Sequence, residues 1–118
     1  MINVNQRQQI HEFIVLDLAI RSLQHDSTQL MHLKLQSLYM YWLEAILHTL
    51  QQQFQQQKNE LAKQQLRLVN YRRVDQYFSE VIVATAGEDA TLLYANNVLK
   101  KDVEKLLQDV GHKLTIVT

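Results

Sequence analysis

Apolar and polar positions along the chain divide it into three kinds of pattern. From Gln6 to Gln24, Phe13, Leu16, Ile20 and Leu23 recur at three- and four-residue steps, widened by Ile10 and Ile14. Side chains at that spacing share one face of a helix, with Glu12, Asp17 and Arg21 turned away. The run His25-Asp26-Ser27-Thr28 reads as a break, because short polar side chains compete for backbone hydrogen bonds.

A second helix is predicted to begin between Thr28 and Gln36 and to run to about Gln65. Leu35, Tyr39, Trp42, Leu43, Ile46, Leu47 and Leu50 give it a wide apolar face. Beyond Leu50 the face thins to Phe54 and Leu61 within a glutamine-rich stretch. Glutamine, lysine and glutamate keep a helix going. The two helices are expected to fold back on each other as a long antiparallel hairpin over residues 6–65.

Near Arg67 the chemistry changes. Leu68 to Val74 and Tyr77 to Val83 are rich in β-branched and aromatic residues, with Asp75-Gln76 between them at hairpin distance. This predicts a β-hairpin over residues 67–86 with its turn near Val74–Gln76. A final helix is expected from about Ala90 to Val110, with Leu92, Leu99, Val103, Leu106 and Val110 as its stripe and Gly111 as a left-handed cap. Leu114 to Val117 reads either as a short third strand or as a loose tail. The fold class is therefore α+β, predominantly helical: a long antiparallel helical hairpin, then a β-hairpin and a C-terminal helix, in a single domain spanning 1–118.

Composition narrows the chemistry. The chain has 118 residues, no proline, no cysteine and two glycines. Without cysteine there are no disulfides, thiolate metal sites or cysteine nucleophiles. Two glycines do not furnish a phosphate-cradling loop. Five histidines (His11, His25, His32, His48 and His112) include no pair at four-residue spacing, so no metal site is expected. Gly87-Glu88-Asp89 is read as helix-start acidity. No cofactor is expected, and no catalytic set is evident. The N-terminal residues lack the basic and apolar runs of a secretory signal, and no apolar run reaches membrane-spanning length, so the expectation is a cytoplasmic protein with no membrane partner.

Formal net charge is zero, but it is unevenly spread. Residues 51–73 carry five bases against one acid, between slightly acidic flanks. Two functions from different classes follow. The leading expectation is a small accessory protein, bacterial or phage in character, that self-associates as a homo-oligomer and engages another protein without catalysis. Its candidate interface is Tyr39, Trp42, Leu43, Ile46, Leu50, Phe54 and Leu61, because apolar surface left over from a two-helix seam tends to be buried by a partner. The alternative is a nucleic-acid-binding regulator using Lys63, Arg67, Tyr71, Arg72 and Arg73, where bases interleave with an aromatic. Neutral overall charge, the absence of a short helix–turn–helix and a facing Glu80 count against that alternative.

Overall fold

In the computed structural model, which describes residues 2–29 and 36–117, two long helices lead into a three-stranded antiparallel sheet and a last helix. The elements are α1 (Val4–Gln29), α2 (Gln36–Lys63), β1 (Arg67–Arg73), β2 (Phe78–Ala84), β3 (Ala90–Ala95) and α3 (Asn96–Val117). The expected α+β, predominantly helical class is what the chain adopts. Leu35 and His32, named above, lie outside the described residues.

α1 is set by its first turn. Asn3 Oδ1 accepts the Gln6 amide at 2.8 Å, and Gln6 Oε1 accepts the Asn3 amide at 3.1 Å. This reciprocal pair satisfies two of the amides that a helix start leaves without partners. The helix then runs through the expected break. Ser27 and Thr28 each donate their hydroxyl to the carbonyl three residues back, at 2.7 Å, so they are satisfied without leaving the helix.

α1 is the central element. Phe13, Ile14, Val15 and Leu16 are four consecutive buried residues, which a helix packed on one side does not produce. α2 lies along one flank, where Phe13 and Phe54 stack with ring centroids 4.6 Å apart. α3 covers another flank. Ile10, Ile14, Ala19, Leu50, Leu99 and Val110 belong to the core that results.

α2 ends in a Schellman motif. The Leu66 amide donates to the Leu61 carbonyl at 2.9 Å, and the Gln65 amide to the Ala62 carbonyl at 3.0 Å. Gln65 takes the left-handed conformation there, with φ 60°. Leu61 and Leu66, the residues flanking the motif, are both buried, so the cap also turns the chain from helix into sheet across the core.

The sheet order is β1-β2-β3. Period-two alternation sends Ser79, Val81 and Val83 of the central strand inward, where all three are buried. Leu68, Tyr71, Leu92 and Tyr94 flank them against the core. The opposite face carries Phe78, Glu80, Ile82 and Leu93, with no layer over it among the described residues.

The C-terminal third departs from expectation in four places, the first being that Glu88 and Asp89 precede a strand and not a helix start. Residues 90–95 form a strand and not the start of a helix. Leu92 and Tyr94 alternate onto the inner face of the sheet, and the β2 backbone gains a second partner from Phe78↔Ala95 to Val83↔Ala90. The helix begins only at Asn96. Gly111 is inside α3, with no glycine at positive φ, and the helix continues to Val117 in place of a strand or tail at 114–117. A Cβ at Gly111 would sit 3.9 Å from Ile46 Cδ1, so Gly111 lies at ordinary contact distance from α2.

The hairpin turn falls where the sequence placed it. Asp75 Oδ1 accepts the amides of Tyr77 and Phe78, both at 2.8 Å. That side chain closes the turn without the glycine that common two-residue turns use. The Asn96 side-chain amide donates to the Asp75 carbonyl at 2.9 Å, and the Asn96 backbone amide to the Tyr77 carbonyl at 2.8 Å. Asn96 thus clasps the turn to the first residue of α3.

Candidate functional site

Three polar or apolar groupings on this frame stand out, and each begins with an element described above.

The first is the α1–α3 contact. His11 Nε2 lies 2.7 Å from Asp102 Oδ2, and the imidazole stacks on Tyr94 with centroids 5.6 Å apart and planes within 17°. A carboxylate that holds an imidazole in place is half of many acid–base sites. Here no hydroxyl bonds to His11 among the described residues, so the dyad has no activated nucleophile beside it. It borders a shallow groove of about 420 Å³ lined by Gln8, Gln53, Gln57 and Asp109 among others. Burial raises the Tyr94 hydroxyl above its usual range, with the Arg7 guanidinium opposing in part. By spacing alone His11 is a scattered histidine. Its partner is 91 residues away, and no local spacing signals such a pair.

The second grouping is polar and internal. The Tyr71 hydroxyl donates to Ser79 Oγ at 3.3 Å, and Ser79 Oγ donates to Asn96 Oδ1. Ser79 is fully buried, so this chain supplies the partners that a buried hydroxyl requires. It binds β1, β2 and the start of α3 together.

The third is an apolar face at the N-terminal end of α2. Leu38, Tyr39, Tyr41 and Trp42 are 61%, 40%, 74% and 47% exposed. Leu38, Tyr41 and Trp42 stand at i, i+3 and i+4, so they form one ridge. The sequence-predicted interface divides at this point. Tyr39 and Trp42 are accessible. Leu43 and Phe54 are partly buried against the core, and Ile46, Leu50 and Leu61 are inside it. Tyr41 and Leu38 complete the face; the interface expected from the sequence omits them because its stripe follows the side that packs on α1.

The basic residues do not form one surface. Lys63 pairs with Glu60 at 3.1 Å and Arg72 with Glu80 at 2.7 Å. Arg73 Nε donates to the Asp75 carbonyl at 3.1 Å. A register shift between Leu68 and Asn70 sets Tyr71 on the inner face and Arg72 on the outer one. Arg67 stands at the far end of the strand. Among the described residues no three metal-ligating side chains gather.

Two long helices, a three-stranded antiparallel sheet and a C-terminal helix define a small, predominantly helical α+β protein. The chain belongs to the family described as YhjD protein, whose model matches residues 1–115. No curated protein and no solved structure matches it. Among the described residues no helix is long and apolar enough to cross a membrane.

Proposed function

We propose that this protein is a binding module, not a catalyst, working in the cytoplasm by engaging another protein through the Leu38–Trp42 face of α2. The observation that carries this reading is the clustering of exposed Leu38, Tyr39, Tyr41 and Trp42 on one helix end. Each large aromatic buries roughly 150–250 Å² when covered. At these exposures the ridge supplies on the order of a few hundred Å², about the apolar centre of a standard interface, where roughly 800 Å² is buried per partner. Tyr and Trp are also the side chains that most often anchor such centres.

The chemistry of the partner follows from the surroundings. Glu44 is the only formal charge from Gln36 to Gln57. The fitting occupant is an amphipathic helix with an apolar stripe for the ridge and a flanking Lys or Arg for Glu44. Nucleic-acid binding through Lys63, Arg67, Tyr71, Arg72 and Arg73 is the weaker reading, since three of the four cations are committed to oxygen atoms of the chain itself.

Site-specific photo-crosslinking tests the proposal. A photoreactive residue at Tyr41, in the full chain expressed in its native cell, is expected to give one discrete adduct with a different protein. Trp42→Ser in the same chain should abolish it, and the same probe at Lys58 should not produce it. An adduct shared with the Lys58 control, or none, overturns the assignment.

A further inference from the structure

The two edges of the sheet are not alike. β1 carries Arg67, Arg72 and Arg73 and a register shift between Leu68 and Asn70. Charges and bulges are the usual devices that stop an edge from pairing with another chain. β3 has neither. Its sequence, Ala-Thr-Leu-Leu-Tyr-Ala, holds no charge, no proline and no register shift, and the sheet order leaves its outer edge without a strand. Leu93, at its centre on the uncovered face, is 59% exposed beside Phe78 at 44%.

Exposed side chains of opposite sign stand at the two ends of this edge. Glu88 and Asp89 lie immediately before it and are exposed, and no ion pair engages them among the described residues. Near its other end, Arg7 and Tyr94 line a shallow groove with Val4, Gln8 and His11. Arg7 is exposed and likewise has no carboxylate partner among the described residues.

We infer that the outer edge of β3 pairs antiparallel with β3 of a second copy of this chain, giving a two-fold dimer with a continuous six-stranded sheet. Antiparallel pairing about a two-fold axis sets a residue opposite itself, and opposed residues share a face. Centring on Leu92 places Asp89 opposite the partner's Ala95, and centring on Leu93 places it opposite the partner's Asn97. In both registers the acidic start of one strand arrives at the Arg7 end of the other, and the symmetry makes this happen twice. The edge is thus complementary to itself in charge as well as in backbone. The exposed Leu93 side chains meet across the axis or one step from it, so the bare apolar strip of each sheet becomes one strip. This surface is distinct from the α2 ridge, and the dimer carries two such ridges.

Sedimentation of the full-length chain tests the inference. The 13.9 kDa chain is expected to sediment as a dimer at micromolar concentration. Leu93→Lys, at an exposed position where like charges then approach across the axis, should weaken the dimer at least about tenfold. Arg7→Glu and Asp89→Lys should each weaken it, and the two together should restore it. Asn70→Lys on β1 should leave it unchanged. Circular dichroism of each variant establishes that the monomer stays folded. A wild-type monomer at a hundred micromolar, a dimer indifferent to Leu93→Lys, or a charge-swapped double variant weaker than both singles overturns the assignment.

Discussion

His11 on α1 and Asp102 on α3 meet at 2.7 Å, and this pair ties the first helix of the chain to the last. The imidazole is mostly covered and the carboxylate is 40% exposed, so water screens the pair only in part. Removing either side should cost about 1 kcal/mol. Asp102→Asn tests the charge while keeping the shape, and His11→Ala also removes the ring stacked on Tyr94. A double-mutant cycle by urea unfolding is expected to show coupling between the two positions. Strict additivity would mean the contact adds nothing to stability.

Gln65 holds a backbone conformation that favours glycine, at φ 60°. Its side chain is exposed, so little packing is lost on truncation. Gln65→Gly is expected to raise stability by about 0.5–1 kcal/mol, since the strain of the left-handed conformation outweighs the entropy glycine adds to the unfolded chain. Thermal unfolding checks this. A lower midpoint would show that the Gln65 side chain makes a contribution its exposure conceals.

Tyr94 predicts an alkaline limit. Burial raises its hydroxyl above the usual value of 10.0, with Arg7 pulling the other way. The unfolded chain therefore releases this proton at a lower pH than the folded one. The contribution is complete below about pH 10 and is lost as pH climbs from the unfolded value through the folded one. Tyr94→Phe should flatten that part of the stability profile. It should cost little at neutral pH, because the hydroxyl is buried with no hydrogen-bond partner. An unchanged alkaline slope in the variant would assign the loss to other tyrosines.

The apolar stripe of α2 puts Leu50 and Trp42 in one expected interface, and the fold separates them. Leu50 is fully buried and Trp42 is 47% exposed. Leu50→Ala should cost about 2–5 kcal/mol, whereas Trp42→Ser should stay within about 1 kcal/mol of wild type. Chemical denaturation of both gives the comparison. Equal losses would mean that Trp42 is structural.

The sequence made the helical hairpin legible because Phe13, Leu16, Ile20 and Leu23 keep helical spacing through a long segment. β1, β2 and their turn were legible through dense β-branched and aromatic residues. β3 was not. Thr91, Leu92, Leu93 and Tyr94 are too few to show a period, and Leu92 fits a helical stripe with Leu99 as well as it fits a strand face. What decides between them is the unpaired edge of β2, a tertiary demand that local pattern does not contain. Gly111 misled in the same way. A glycine ends a helix only when the backbone turns left-handed there, and Gly111 keeps a negative φ inside α3. The site was legible in composition more than in geometry: the aromatic residues of α2 were singled out, but which of them face outward depends on where α1 lies. The His11–Asp102 pair depends on the route of the whole chain.

The central position of α1 has a consequence for synthesis. α1 leaves the ribosome before α2 and α3, yet its walls come from Phe54 on α2 and from Leu99, Val103 and Val110 on α3. Until that segment emerges, Ile10, Ile14 and Ala19 have no complete enclosure. A product cut short before α3 is consequently a sticky fragment with its best-protected residues in view of proteases, and it is the packing of α3 that removes them from reach.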